Sequence, residues 1–240
     1  MGNSDLKRVA IMQPYFFPYI GYFQLISDVD KFFLLDEVQF IRHGWIERNR
    51  LPKPNGEAFY IRVPLQKHHQ KDKIKVIQVK NNTPWKDQLY NQIRSTYGTK
   101  TAHNRQRIEQ LLDIFHQHHE SITRLNEHIL KSICLILGIS TKIEVITSNM
   151  YNSDLIKGPG DWALEICKYM NGTVTYVNPI AGANLFDLDR FKSNSIQIEF
   201  LQNTSNSHDT QFSIIHLLMT FTDEQIATML DDYIITKNDP

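Results

Sequence analysis

Short apolar segments alternate with segments of helical spacing along much of this chain. Residues 9–12 and 31–35 are apolar without alternation, as strands are when both faces of a parallel sheet are covered. Residues 21–27 between them are predicted to form a helix, so the start of the chain has a strand–helix–strand form that favours a parallel pair. The strand-like segments KIEVIT, VTYV and IQIEFL, separated by predicted helices, continue this pattern towards the C-terminus.

The middle of the chain departs from this alternation. Residues 36–56 are rich in turn signals and are predicted to be irregular. The segments AFYIRVPL and KIKVIQVK alternate with period two and are predicted to pair as a β-hairpin. Apolar residues at helical spacing then predict helices over 84–97 and over 103–137, the second broken near Glu120. We therefore expect a hairpin and a helical insertion within residues 57–137.

Further helices are predicted nearer the C-terminus. Asp161 is a plausible cap of the helix DWALEICKYM, and a short helix is expected over 186–192. The tail is predicted to be helical over 212–220 and again from Thr222, which opens a capping box. The predicted fold class is α/β: one domain over residues 1–240, with a mainly parallel Rossmann-like sheet flanked by helices.

Composition and charge narrow the function classes. The chain has 26 Lys and Arg against 26 Asp and Glu, so its formal net charge is zero and nothing favours binding a nucleic acid backbone. No apolar run approaches the roughly 20 residues of a membrane span, so we expect a cytoplasmic protein. Cys134 and Cys167 lie on apolar stripes of helices and are predicted to be buried thiols. His116 and His119 lack a carboxylate that would complete a metal site, and no metal is predicted.

Ligands of open parallel sheets bind at the carboxyl ends of the strands. The ring-rich segment QPYFFPYIGYF follows the first strand and leads into a helix, whose N-terminal amides favour anions. Its aromatic rings are suited either to walling a pocket for a flat or sugar-like ligand or to pinning the loop by packing. The candidate site residues here are Gln13, Tyr19, Gly21 and Tyr22.

The segment after the second strand, LLDEVQFIRHGWIERNR, should reach the same edge of the sheet. Asp36 and Gln39 are candidate catalytic residues together with Gln13, and Asp36 is the candidate general base if burial raises its pKa. Guanidinium groups bind phosphate or carboxylate in a bidentate manner. The candidate substrate-binding residues of this segment are Arg42, Trp45, Arg48, Asn49 and Arg50.

Two later loops also precede helices. Gly158-Pro159-Gly160 and the segment NPIAGANLFD are candidate loops for contact with a ligand, although a plain turn into a helix explains each of them without any function.

The N-terminal motifs resemble those of the WbqC-like family. They are Gln13-Pro14, the run from Pro18 to Phe23, the segment DEVQF, and Trp45 followed by Asn49-Arg50. The closing segment FSIIHLLMTFTDEQI is similar to the helix pair that ends members of that family. The resemblance implies a role in surface-polysaccharide (O-antigen) biosynthesis, with transfer of a glycyl or other acyl group to a sugar.

A weaker resemblance concerns the nucleotidylyltransferases. Pro18-Tyr19-Ile20-Gly21-Tyr22 is similar in placement to their P-x-H-x-G-H signature, with tyrosines in place of both histidines. Because those histidines contact phosphates, the same mechanism of nucleotide transfer is not implied.

Three functional hypotheses follow. The leading one is an enzyme that transfers an acyl or aminoacyl group to the amine of a nucleotide-linked amino sugar. The second is ATP-dependent nucleotidyl transfer or adenylate formation, and the third is a non-catalytic module that binds a sugar or a partner. The cofactor is left open between an activated acyl donor and ATP.

Overall fold

The computed structural model describes residues 7–53, 56–99, 101–170 and 172–237. Its strands are β1 (Lys7–Met12), β2 (Lys31–Leu34), β3 (Arg48–Pro52), β4 (Ala58–Arg62), β5 (Lys142–Val145), β6 (Val174–Pro179), β7 (Ile196–Asn203) and β8 (Tyr233–Lys237). Its α-helices are α1 (Ile20–Ser27), α2 (Trp85–Tyr97), α3 (Ala102–His116), α4 (Ile122–Ile136), α5 (Pro159–Tyr169), α6 (Leu188–Ser193), α7 (Ile214–Thr220) and α8 (Asp223–Leu230). The predicted α/β fold class is confirmed.

Six of these strands form one sheet in the order β5-β2-β1-β6-β7-β8. The first five are parallel, and β8 runs antiparallel to β7. From β1 the chain moves outwards through β2 to β5 and then returns to the other side of β1 with β6. The switch point therefore lies between β1 and β6, and ligands of doubly wound sheets bind at that place.

The central strands are buried on both faces, which explains their unbroken apolar sequence. Val9 and Ile11 of β1 pack into one hydrophobic layer with α5, whereas Ala10 packs into the opposite layer with α1. Because neighbouring side chains of a strand point to opposite faces, a strand covered on both sides must be apolar throughout.

The separate hairpin exists, but its partner strand was predicted wrongly. Strand β4 pairs antiparallel with β3, which lies in the segment that was predicted to be irregular. The segment KIKVIQVK instead holds a 3₁₀ turn at Ile74–Val76 and isolated bridges. The sequence of β3, RNRLP, lacks the apolar alternation typical of a strand, because one of its two buried side chains is the polar Asn49.

The predicted helices are present, with small differences at their ends. Thr222 and Gln225 form the expected capping box at the start of α8. The first residue of α5 is Pro159, so Asp161 lies inside the first turn, where its carboxylate accepts from the backbone of Gly158. Strand β8 was not predicted. Within the described residues no helix is long and apolar enough to cross a membrane.

Candidate functional site

A large cleft lies at the carboxyl edge of the sheet, over the switch point. Its volume is about 1410 Å³. Its walls come from the segments that follow β1, β2, β6 and β7, and from the start of α5. The polar and aromatic residues that line it include Gln13, Tyr15, Tyr19, Gln39, Trp45, Asn49, Arg50, Lys157, Trp162, Tyr176, Asn178, Asn203, Ser205, Thr210 and Gln211.

The ring-rich segment and the arginine-bearing segment meet at this cleft. The backbone N–H of Phe16 donates to the carbonyl of Trp45 at 2.8 Å. The buried amide of Asn49 donates to the carbonyls of Phe16 at 3.1 Å and Phe17 at 2.8 Å. Asn126, fully buried on α4, joins the same two segments through the carbonyls of Pro14 and Ile46 at 2.8 and 2.9 Å.

These bonds hold a strained turn. Phe17 has a φ of 42°, in the left-handed region that bulky side chains rarely adopt, and it precedes Pro18. The Ser213 hydroxyl also donates to the Phe17 carbonyl at 2.8 Å, and the Ile214 N–H donates to the Pro18 carbonyl at 2.9 Å. Such conformations persist only when the surroundings fix them. The start of α7 and β3 therefore together fix the turn that presents Tyr19 to the cleft.

Six of the predicted site residues line the cleft and five do not. Those at the wall are Gln13, Tyr19, Gln39, Trp45, Asn49 and Arg50. Those outside its lining are Asp36, Gly21, Tyr22, Arg42 and Arg48.

Asp36 was expected at the mouth because it follows β2, but its side chain is only 6% exposed and does not line the cleft. The 3₁₀ turn at Ile74–Val76 packs against this stretch, with the N–H of Lys75 donating to the Asp36 carbonyl. Burial raises the pKa of Asp36. The raised pKa suits a general base, whereas the position of Asp36 does not place it among the groups that would touch a ligand.

The pKa of the neighbouring Glu37 is shifted in the opposite direction. Burial acts to raise its pKa, but the ammonium groups of Lys75 and Lys73, at 2.8 and 3.1 Å, outweigh burial, and the pKa of Glu37 is lowered. Adjacent carboxylates at the end of β2 thus differ because one is paired with two cations.

The stability of an Asp36→Asn variant should depend on pH. Because the folded pKa of Asp36 is raised, ionisation costs the folded state stability as pH rises through the window above the ordinary Asp value of about 4. Asp36→Asn should therefore stabilise the protein at pH 7, and the gain should vanish below that window. Denaturant unfolding at several pH values measures this, with exposed Asp113→Asn as control. A gain of equal size at pH 3 and pH 7 would contradict the explanation.

Gly21 and Tyr22 support the wall from behind. A Cβ on Gly21 would lie 2.4 Å from the ring carbon Cε2 of Tyr19, so glycine is needed for the packing of Tyr19. The Tyr22 ring is fully buried, and its hydroxyl donates to the Gln13 carbonyl at 2.8 Å. The expectation that Tyr22 walls the pocket is therefore not met.

Arg42 and Arg48 have contacts elsewhere. Arg42 is exposed and donates to the carbonyl of His68 at 3.0 Å. The guanidinium of Arg48 stacks on the ring of Tyr60, 4.1 Å from its centroid.

Arg50 is the predicted arginine that faces the cleft. Its guanidinium carbon lies 6.0 Å from the ring centroid of Trp45 and 5.7 Å from that of Phe212. No carboxylate of the described residues forms an ion pair with it, and its Nε is buried without a hydrogen-bond partner. Two aromatic faces hold this cation in place while its charge stays available.

Lys157 is a second cation that sequence reasoning missed. It lies just before α5, within the loop NSDLIKGPGDWALE that had been singled out for its glycines. The Asp161 carboxylate accepts from the backbone N–H groups of Lys157 at 2.8 Å and Gly158 at 2.7 Å, so the start of α5 is already capped internally. The Lys157 ammonium makes no ion pair with another described residue.

The charges along the walls have one sign. Among the described residues that line the cleft, Arg50 and Lys157 are charged, and none is Asp, Glu, His or Cys. No group of three or more His, Cys, Asp or Glu suited to a metal was found in the described part of the chain. The arrangement favours an anionic ligand with polar and aromatic portions.

Residues at the end of β7 and after it were also missed. Asn203, Ser205, Thr210 and Gln211 line the cleft, and the Gln211 side chain makes no hydrogen bond to another described residue. Their segment contains no glycine-rich or charged motif, and only the return of β7 to the side of β6 brings it to the site.

Close contact between α5 and the 3₁₀ segment Ile180–Leu185 shapes one wall. A Cβ on Gly160 would lie 2.3 Å from the backbone carbonyl oxygen of Leu185, which cannot move freely. Inside a helix, alanine in place of glycine ordinarily raises the free energy of unfolding by about 1 kcal/mol. We expect Gly160→Ala instead to destabilise the protein by about 1–3 kcal/mol, because the added methyl group overpacks this contact. Denaturant unfolding measures the change in stability. Gly158→Ala, whose Cβ would be 3.9 Å from its nearest neighbour, is the control and should be near neutral.

Comparison with known proteins assigns the chain to a protein family. The profile of the WbqC-like protein family matches residues 13–228. The chain belongs to the WbqC-like family. Residues 13–228 include both early segments of the cleft and the pair α7 and α8, so the family match spans the site described above.

A relative of this WbqC-like chain is found in Mycobacterium tuberculosis (strain ATCC 25618 / H37Rv), under the name Uncharacterized protein Rv1507c. The two sequences are 29% identical over 197 residues, which cover 80% of this chain and 81% of the relative. No solved structure matches the chain.

Proposed function

We propose that the cleft binds a nucleotide-linked amino sugar and that the protein transfers an acyl or aminoacyl group from an activated donor to the sugar amine. The observation that supports this most is the pair of cations, Arg50 and Lys157, without ion-pair partners among the described residues, in a cleft whose described lining has no carboxylate. A diphosphate matches these charges, and guanidinium binds phosphate oxygens in bidentate fashion. The aromatic walls suit a base or sugar ring.

The described lining of the cleft has no carboxylate that would stabilise the protonated, unreactive form of the acceptor amine. A neutral amine is a nucleophile by itself, so the enzyme needs no covalent intermediate on a cysteine or serine. This agrees with a lining in which no described residue is a cysteine or histidine.

The transfer step balances with an acyl thioester as donor. The amine nitrogen attacks the carbonyl carbon, a C–N bond forms, and the C–S bond breaks. The departing thiolate receives the proton that the nitrogen loses, so no oxidant or reductant is required.

The two glutamines would orient the acceptor. The Gln13 side chain makes no hydrogen bond to another described residue and faces the cleft. The Gln39 amide donates to the Gln70 carbonyl at 2.8 Å, which fixes the side chain and leaves its oxygen as an acceptor. Asp36 receives no role in this step, because it does not line the cleft.

A thermal-shift panel tests the proposal. UDP-linked amino sugars at about 100 times their Kd should add roughly 2.7 kcal/mol of stability. ATP with magnesium belongs in the same panel, because a shift with ATP alone would favour adenylate formation. Incubation of the binding sugar nucleotide with acyl thioesters, followed by mass spectrometry, should show N-acylation. Binding without any transfer would favour a non-catalytic sugar-binding module, and no shift with any sugar nucleotide would contradict the proposal.

A further inference from the structure

The cleft is larger than one ligand requires. Pockets for single drug-sized ligands are typically about 300–1,000 Å³, whereas this cleft measures about 1410 Å³. Two parts of its lining also differ in chemistry. The segment after β2 contributes Gln39 and four apolar residues, which are called the apolar half here: Leu35, Val38, Ile41 and Trp45. The end of β7 and the segment after it contribute a polar half, defined as Asn203, Ser205, Thr210 and Gln211.

The sheet order separates these halves. Strands β1 and β6 lie between β2 and β7. Three strand spacings correspond to about 14 Å between β2 and β7 themselves, since neighbouring strands lie about 4.8 Å apart. Arg50 is close to both halves, because its guanidinium carbon lies 6.0 Å from the ring centroid of Trp45 and 5.7 Å from that of Phe212, the neighbour of Gln211.

Two of the four residues of the apolar half are exposed. Ile41 is 63% exposed and Trp45 is 41% exposed, and both line the cleft. Exposed apolar groups grouped on one wall, beside a cation, indicate a ligand with an apolar chain attached to a polar or anionic group.

We propose that the cleft holds two ligands at once, with the apolar chain of the acyl donor in the apolar half and the sugar of the acceptor in the polar half. This rests on the proposed function and narrows it: the transferred group is an alkyl-chain acyl group rather than glycyl. The acyl carbonyl and the sugar amine would meet beside Arg50. The hydroxyl and amide groups of Ser205 and Gln211 suit the hydroxyl groups of a sugar.

A chain-length series tests this on the unmodified protein. Pantetheine S-alkyl thioethers, from ethyl to octyl, cannot react and serve as donor probes. Calorimetric titration in the presence of a saturating UDP-linked amino sugar should give a Kd that falls roughly fourfold for each added methylene, until the apolar half is full.

Two variants separate the halves. Ile41→Ser should flatten the chain-length dependence, whereas Val76→Ser, also an exposed aliphatic residue but outside the cleft lining, should not. Gln211→Ala should weaken binding of the sugar nucleotide and leave the thioether series unchanged.

A series without chain-length dependence, or displacement of the thioether by the sugar nucleotide, would overturn the two-ligand inference while leaving the proposed binding of sugar nucleotides intact. Failure of the sugar nucleotide to bind, with a normal thioether series, would instead overturn the proposed function and the two-ligand inference with it.

Discussion

Replacing Asn49 by alanine is expected to destabilise the protein by about 3 kcal/mol and to abolish ligand binding in the cleft. The Asn49 amide donates to the carbonyls of Phe16 and Phe17, and its oxygen accepts from the backbone of Arg50 at 2.8 Å. Each buried group left without a partner costs about 1–3 kcal/mol. The left-handed Phe17 would also lose part of its support. Denaturant unfolding measures the stability.

The control for this change is Asn82→Ala, because Asn82 is exposed and its side chain makes no hydrogen bond to another described residue. Asn49→Asp provides a second comparison: a carboxylate facing two carbonyl oxygens should be at least as harmful as alanine at neutral pH. If Asn49→Ala were as stable as the control, the bonds of Asn49 would not hold the turn.

Replacing Arg50 by glutamine is expected to weaken binding of an anionic ligand by roughly 10–100-fold, since hydrogen bonds to charged groups contribute about 1.5–3 kcal/mol. Arg50→Lys should be intermediate, because an ammonium keeps the charge but not the planar pair of donors. Calorimetric titration with a UDP-linked amino sugar measures both variants. Rising salt should weaken binding less in Arg50→Gln than in the unmodified protein.

The matched control is Arg42→Gln, since Arg42 belongs to the same predicted cluster but is exposed and does not line the cleft. Equal losses for the two variants would indicate a diffuse electrostatic effect rather than a specific contact of Arg50.

The pattern of apolar residues was enough to predict the central part of the fold. Buried parallel strands are continuously apolar, so β1 and β2 could be predicted from the sequence. The rule that ligands bind at the carboxyl ends of such strands correctly predicted that Gln13, Tyr19 and Arg50 lie at one edge of the sheet. Strand β3 could not be predicted, because Asn49 occupies a buried position where the alternation of a strand would place an apolar residue. Asn49 is buried there because its amide donates a hydrogen bond to the carbonyl of Phe17, in a turn that is distant in the sequence.

The misplacement of Asp36 has a similar cause. A carboxylate at a strand end usually reaches the mouth of a parallel sheet, but here the 3₁₀ turn at Ile74–Val76 packs over it. Lys157 and the residues after β7 reach the cleft only through the order of the strands. Contacts between segments this far apart follow from tertiary packing and leave little local signal in the sequence.

A crystal structure of the protein with a UDP-linked amino sugar tests the central claim most directly. We predict the diphosphate within hydrogen-bond distance of the Arg50 guanidinium, beside the switch point of β1 and β6, with the Lys157 ammonium close to the same group. A sugar nucleotide bound elsewhere on the molecule, or bound in the cleft with its diphosphate turned away from Arg50, would contradict the account.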